Sequence, residues 1–209
     1  MTDDQENLSF DKKSVRAAMR AARLALTASE RERETKEVAE AVLGLDVWKK
    51  ASTLVAYMAH GSELDLSPVM ASALKEGKKL ALPVVIGKEL VFRLVPDLGK
   101  ENFQLGAFGI SEPKDDLPEW TPSEGGETLW LIPGVAFDKN CQRLGQGGGF
   151  YDRTLAKLHS CRPVGQTYAG AAFSCQIADF LPLDEWDRPL DLVITPGNIY
   201  INKYIRKSL

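Results

Sequence analysis

The chain has 209 residues, 44% of them hydrophobic and 26% charged, with a net charge of −3. These values fit one soluble globular domain, residues 1–209, with a sizeable core. They argue against a general nucleic-acid binder, which is usually basic, and no apolar run reaches the length of a membrane span.

Residues 1–9 are polar and acidic, lack the basic and apolar regions of a secretory signal, and read as a flexible tail. From Phe10 to about Leu26, Val15, Met19, Ala22 and Leu26 recur at helical spacing, and Lys12, Lys13, Arg16, Arg20 and Arg23 fill the other face. Thr27-Ala28-Ser29-Glu30 fits a capping box that starts a second helix. Its Val38, Ala41, Val42 and Leu45 point to the core, so residues 10–45 read as a helical hairpin packed on the rest of the domain.

Ser52 to Met58 is rich in β-formers and reads as a strand, closed by the polar turn Ala59 to Glu63. Ser67-Pro68 fits the start of a helix, and Gly77 its stop. Lys79 to Ile86 and Leu90 to Val95 are further strands about a Gly87-Lys88 turn. Residues 96–127 are the least regular part and read as a functional loop region. An apolar strand, Leu129 to Ile132, then leads into Pro133-Gly134, a second short run to Phe137, and a glycine-rich junction before a helix that reaches about His159. Pro163 to Tyr168 reads as a strand, Gln176 to Phe180 as a short helix, Asp191 to Thr195 as the last core strand, and Ile199 to Ile201 as a short addition. Strands alternating with helices predict an α/β fold with a mostly parallel sheet, whose ligands bind beyond the carboxyl ends of the strands.

The junction carries the chemistry. Arg143 and Leu144 precede Gly145, Gln146, Gly147, Gly148 and Gly149, and Phe150, Tyr151 and Asp152 open the helix. Glycines let backbone N–H groups approach an anion, and a helix N-terminus adds positive potential behind them. The nucleotide P-loop pattern fails, because Phe150 stands where lysine is required, and the dinucleotide fingerprint misses its third glycine. On residue physics alone, a phosphate site and a plain strand-to-helix connection stand as equal readings. The three cysteines, Cys141, Cys161 and Cys175, are widely spaced, and only two histidines occur. A disulfide framework or zinc site is not expected, and a reducing, cytoplasmic setting is.

The string Arg143 to Arg153 (RLGQGGGFYDR), preceded by Pro133-Gly134-Val135-Ala136-Phe137-Asp138, closely resembles the signature of the 5-formyltetrahydrofolate cyclo-ligase (methenyltetrahydrofolate synthetase) family. Lys12 with Arg16, Glu63, and the segment Phe108 to Pro113 agree with it, so the resemblance spans about residues 12–194. It implies a three-layer α/β sandwich similar to the sugar-phosphate isomerase and CoA-transferase class. It implies an ATP- and Mg2+-dependent ligase in which the formyl oxygen attacks the γ-phosphate and N10 of the folate then closes the ring. By resemblance, Lys12, Lys13, Arg16, Arg143, Leu144, Gly145, Gln146, Gly147, Gly148, Gly149, Phe150 and Tyr151 would contact ATP. Lys12, Arg16, Arg143 and Tyr151 would serve catalysis. Met58, Glu63, Gly147, Gly148, Gly149, Phe150 and Tyr151 would contact the reduced folate, with Phe108 and Trp130 as further stacking candidates. Asp152 and Asp191 would hold magnesium. Spacing by itself reads Lys13 and Arg20 as solvated charges, Asp138 and Asp187 as turn residues, and Trp48, Trp120 and Trp186 as packing. The family often carries Lys or Arg where this chain has Gln146 or Gly148, which implies heavier reliance on Lys12, Arg16 and magnesium. A monomer binding small molecules, with no nucleic-acid or membrane partner, is expected. The rival readings are a sugar-phosphate or acyl-CoA enzyme of similar fold and a non-catalytic relative that binds folate or nucleotide.

Overall fold

The computed structural model describes residues 11–122, 126–161, 163–184 and 187–203. The tail, Phe10 and Trp186 lie outside the described residues. The helices are α1 (Lys12–Ala25), α2 (Ala28–Gly44), the short α3 (Asp46–Lys50), α4 (Ser67–Lys75) and α5 (Phe150–Cys161). The strands are β1 (Thr53–Val55), β2 (Lys79–Ile86), β3 (Glu89–Leu94), β4 (Phe103–Leu105), β5 (Ser111–Pro113), β6 (Glu119–Trp120) and β7 (Thr128–Ile132). They continue with β8 (Ala136–Asp138), β9 (Arg143–Leu144), β10 (Gln166–Ala171), β11 (Ile177–Ala178), β12 (Leu192–Thr195) and β13 (Asn198–Ile201).

The main sheet runs β13-β12-β10-β7-β1-β2-β3-β6. Its middle strands β12, β10, β7, β1 and β2 are parallel, and β13, β3 and β6 add antiparallel edges. The central strand β7 shows why. All five of its residues, Thr-Leu-Trp-Leu-Ile, are buried, as a parallel strand covered on both faces requires. Leu129 and Leu131 face one core, with Val38 and Val42 of α2 and Val69 and Met70 of α4. Trp130 and Ile132 face the other, with Leu155 of α5 and Tyr168 of β10. Helices therefore cover both faces of a mostly parallel sheet, as the alternation of elements predicts.

Local signals set most element ends. The capping box forms: Glu30 N–H donates to Thr27 Oγ1 at 3.2 Å, and Thr27 N–H donates to Glu30 Oε2 at 2.8 Å. Gly77 ends α4 in the left-handed region at φ 74°. The start of α4 differs from expectation. Ser67 lies inside the helix, and Asp65 caps it by accepting from Ser67 N–H at 2.8 Å and Ser67 Oγ at 2.7 Å. The first strand is shorter than Ser52–Met58, because after Ala56 N–H donates to Ala81 O the chain leaves the ladder and turns Tyr57 and Met58 toward a cavity.

The two N-terminal helices divide their work. Val15 and Met19 of α1 pack on Ala136, Leu144 and Leu181, whereas α2 packs on the main sheet. α1 thus leans on a second, three-stranded sheet, β11-β8-β9. The helix expected at Gln176–Phe180 is instead a 3-10 turn, Ser174–Gln176, followed by β11. Gln176 is buried; its Nε2 donates to Gly134 O at 2.9 Å and Val135 O at 3.1 Å, and its Oε1 accepts from Phe173 N–H at 3.0 Å. That exchange fixes the turn between β7 and β8 in place of a helix. Residues 96–127 hold more order than their composition suggests, with the β4–β5 hairpin and edge strand β6.

Phe137 locks the small sheet onto the large one. It is fully buried, and a methyl group on Gly134 or Gly170 would come within 2.5 Å of its ring. Phe137→Ala is expected to cost about 3–5 kcal/mol of stability, read by urea denaturation. A loss below about 1 kcal/mol would mean that the ring does not clamp the two sheets.

Candidate functional site

Two cavities meet at the glycine loop. The smaller, about 270 Å³, is polar and lined by Lys12, Arg16, Arg143, Arg153, Asp152, Asp184, Asp187 and the backbone of Leu144, Gly145, Gly147 and Gly149. The larger, about 460 Å³, is mostly apolar. Its walls come from Tyr57 and Met58 after β1, Pro83, Val85 and Leu90 on β2 and β3, the β4–β5 hairpin, and Phe150 and Tyr151 of α5. Arg143, Gly145, Gly149 and Asp152 line both.

Arg143 is the fixed point. It is 6% exposed, on β9, and its guanidinium pairs with Asp152 in the first turn of α5. Nη1 donates to Pro133 O at 3.3 Å, and Nε has no hydrogen-bond partner among the described residues. Gly145 makes room for it, since a Cβ there would lie 2.6 Å from Nη1. Gly147 and Gly149 take φ values of 106° and 68°, which side chains rarely adopt. The loop is therefore glycine-rich for two reasons, backbone conformation and space for Arg143.

The first helix holds the loop from outside. Arg16 Nε donates to Gly145 O at 2.8 Å, a neutral partner that leaves its charge beside the polar cavity. Lys12 Nζ pairs with Asp184 at 2.6 Å and Asp187 at 2.5 Å. Partial burial opposes its charge, but the two carboxylates outweigh that and raise its pKa. Arg20 is exposed, as its spacing predicts, and also reaches Gln146 Oε1 at 2.6 Å. Gln146 Nε2 donates to Glu63 Oε1 at 3.1 Å, and Glu63 Oε2 accepts from His60 N–H at 3.1 Å. Gln146 thus faces the larger cavity, so its lack of charge bears on that side more than on the polar cavity. Arg153 lies over Phe150, 5.1 Å from the ring centroid, and donates to Gly148 O at 3.1 Å.

Burial first, then the nearby Glu63 carboxylate, push the Tyr151 phenol above its ordinary value. Phe108, at the tip of the β4–β5 hairpin, is 71% exposed and packs edge-on to Phe150 at 6.1 Å. Its φ of 58° is a left-handed conformation that costs a bulky residue energy.

The structure brings Lys12, Arg16, Arg143, the glycine loop, Phe150, Tyr151, Asp152, Met58 and Glu63 to this one region. It does not bring Lys13, which is exposed and lines neither cavity. Trp130 is also elsewhere, buried against Phe92 at 5.0 Å with its Nε1 donating to Gln166 Oε1. Asp191 precedes β12, and its Oδ2 accepts from Tyr168 N–H at 2.6 Å, away from both sets of lining residues. No group of three or more His, Cys, Asp or Glu suited to a metal occurs among the described residues. Magnesium needs only one or two carboxylates when phosphate oxygens and water complete its shell, so Asp152 alone at the shared wall fits such an ion. Sequence reasoning assigned no site role to Arg153, Asp184, Asp187, Tyr57, Ile110, Ser111 and Glu112, although it named Phe108 on the same hairpin. Arg153 closes the glycine signature and could have been found there; the others lie far from it in sequence, and Asp187 reads only as a turn residue.

Burial raises the Asp191 pKa against the Tyr168 hydrogen bond and the nearby His159, which lower it. A carboxyl raised on folding favours the folded state most in acid, and that contribution is lost as pH rises above the usual 3.8. Asp191→Asn keeps the acceptor for Tyr168 and removes the charge. The variant is expected to gain stability over the parent as pH rises from acid toward neutral. Thermal denaturation across that range checks this; a stability difference that does not change with pH would overturn it.

Comparison with known proteins agrees with the geometry. Residues 9–196 match the model of the 5-formyltetrahydrofolate cyclo-ligase family. The 5-formyltetrahydrofolate cyclo-ligase of Escherichia coli K12 is 32% identical over 188 residues, covering 87% of this chain and 98% of that one. The Haemophilus influenzae protein of the same name is 34% identical over 185 residues, covering 86% and 94%. Among solved structures, the Aquifex aeolicus 5,10-methenyltetrahydrofolate synthetase superposes with a TM-score of 0.78 at 33% identity, covering 92% of this chain and 93% of that one. The Mycoplasma pneumoniae 5,10-methenyltetrahydrofolate synthetase gives 0.69 at 26% identity, covering 90% and 99%. With the matched model running through nearly the whole chain and the signature loop lying where its two cavities meet, this chain belongs to the 5-formyltetrahydrofolate cyclo-ligase family.

Proposed function

We propose that the chain catalyses the ATP-dependent cyclisation of 5-formyltetrahydrofolate to 5,10-methenyltetrahydrofolate, releasing ADP and phosphate. The observation that carries this reading is the shared wall of Arg143, Gly145, Gly149 and Asp152 between a polar, cation-lined cavity and a larger apolar one. Two substrates of those characters, a triphosphate and a pterin, would meet there.

Phosphoryl transfer is mostly positioning and charge stabilisation. Arg16 and Arg153 offer positive charge at the polar cavity, and Lys12 offers more once it leaves Asp184 and Asp187. The loop backbone and the N-terminus of α5 add N–H donors. Asp152 would hold magnesium, which when bound neutralises phosphate charge. On the other side, Tyr151 would donate to the substrate and Phe108 and Phe150 would pack against it. The formyl oxygen attacks the γ-phosphorus and ADP leaves. N10 then attacks the activated carbon, loses its proton, and phosphate departs with the C–O bond. Glu63, held by Gln146 and His60 N–H at the wall of the apolar cavity, would take that proton.

Mixing the protein with Mg-ATP and 5-formyltetrahydrofolate is expected to produce the methenyl chromophore, with one ADP formed per ring closed. No ATP-dependent product would overturn the reading; binding of folate or nucleotide without turnover would then favour a non-catalytic relative, and turnover of a sugar phosphate or acyl-CoA without ATP an enzyme of similar fold. Glu63→Gln removes the base and leaves one amide oxygen to accept from only one of the two donors, Gln146 Nε2 or His60 N–H. In a single turnover it is expected to slow ring closure by about a hundredfold. A parental rate would remove Glu63 from that role.

A further inference from the structure

The proposed chemistry uses only part of the basic face of α1. Arg16, Arg20 and Arg23 recur at spacings of four and three, so they share one side of the helix. Each ends on a different point of the frame around the site. Arg16 donates to Gly145 O at 2.8 Å, Arg20 to Gln146 Oε1 at 2.6 Å, and Arg23 to Ser62 Oγ at 3.0 Å. Arg16 lines the polar cavity, whereas Arg20 lines neither cavity and meets the wall of the larger one through Gln146.

Gln146 stands between opposite charges. Its Oε1 accepts from Arg20, and its Nε2 donates to Glu63 Oε1 at 3.1 Å. A guanidinium can only donate and a carboxylate can only accept, so the amide has one orientation that serves both. Turned over, it would set N–H groups against the guanidinium and its oxygen against the carboxylate, and lose both bonds. The guanidinium also polarises the amide and strengthens Nε2 as a donor. Glu63 Oε2 accepts from His60 N–H at 3.1 Å, but that bond lies within the turn that carries Glu63. It fixes the side chain against its own turn. The bond from Gln146 is the one that sets the carboxylate against the glycine loop.

We propose that Arg20 and Gln146 are positioning residues for ring closure: the guanidinium fixes the amide, and the amide fixes the Glu63 carboxylate at the wall of the larger cavity. The inference rests on Glu63 as the acceptor of the N10 proton and adds what holds that acceptor in place. A general base acts only within hydrogen-bond reach of the proton it takes, and a small misplacement slows the step. Neither Arg20 nor Gln146 takes the proton. Both act through Glu63.

Single-turnover ring closure, with Mg-ATP and 5-formyltetrahydrofolate, is measured for the parent, Arg20→Met, Gln146→Leu and Glu63→Gln, and for Arg20→Met and Gln146→Leu each combined with Glu63→Gln. Arg20 and Gln146 are exposed, so neither substitution opens the core. Arg20→Met and Gln146→Leu are each expected to slow ring closure about threefold to tenfold, the effect of one hydrogen bond, with the KM for ATP unchanged. In the Glu63→Gln background the same two substitutions are expected to slow it no further, because the carboxylate they position is gone. A merely structural role in the glycine loop predicts otherwise: the KM for ATP would rise, and the loss would persist without the carboxylate. A parental rate for either single variant, or losses that multiply with that of Glu63→Gln, overturn the inference and leave Glu63 in its role. A parental rate for Glu63→Gln removes the base and this inference with it. Absence of any turnover by the parent overturns the proposed function as a whole.

Discussion

The site depends on how the protein keeps one guanidinium out of water. Arg143 is almost fully buried on a two-residue strand, and a buried charge is tolerated only when it is paired. Its partner, Asp152, comes from the first turn of α5, so the ion pair joins the small sheet to the helix that covers one face of the large one. Everything between β9 and α5 must then span that short link. A side chain at Gly145 would collide with Nη1, and the left-handed turns at Gly147 and Gly149 bring the chain round to the helix. The glycine loop is a consequence of the ion pair as much as a device for binding anions.

The support behind this link is built in layers. Phe137 occupies the gap that Gly134 and Gly170 leave, and seats the small sheet on the large one. Gln176 ties down Gly134 and Val135 through its amide, and so fixes the turn from which Pro133 O reaches Arg143. α1 closes the outside, with Val15 and Met19 on the small sheet and Arg16 on Gly145 O. The turn after β1 is secured from the same side, because Arg23 Nε donates to Ser62 Oγ at 3.0 Å and Arg31 Nη1 donates to Ser62 O at 3.0 Å. The N-terminal helices thus position both the loop and Glu63, though neither belongs to them.

The features legible in the sequence obey local rules. The capping box, the glycine stop of α4, the buried run of β7 and the glycine junction each show in a few adjacent residues, and the structure contains them. Those that are not legible depend on distant partners. Gln176 reads as the start of a helix because nothing near it in sequence reveals the two carbonyls, some forty residues earlier, that it serves. Asp191 reads as a metal ligand at a strand end, yet its oxygen is committed to Tyr168 N–H across the sheet. Arg20 is exposed as its spacing predicts, but its partner Gln146 lies across the fold and could not be read. Phe108 and Trp130 are equal candidates for stacking in the sequence, and only the tertiary structure separates an exposed hairpin tip from a buried aromatic cluster.

The charge balance of the polar cavity bears on how a nucleotide would be received. Its wall holds four cations, Lys12, Arg16, Arg143 and Arg153, against three carboxylates, Asp152, Asp184 and Asp187. Arg143 is neutralised by Asp152 and Lys12 by the other two, while Arg16 and Arg153 rest on backbone carbonyls and keep their charge. A triphosphate therefore brings more negative charge than the available cations balance. Moving Lys12 from Asp184 and Asp187 to phosphate leaves that balance unchanged, because both carboxylates stay in the same wall. A divalent ion can enter between phosphate and Asp152, which turns the one acid at the shared wall from a repulsive neighbour into a ligand. If the cavity receives a nucleotide as proposed, its three carboxylates would oppose a bare anion and favour one whose charge a divalent ion has reduced.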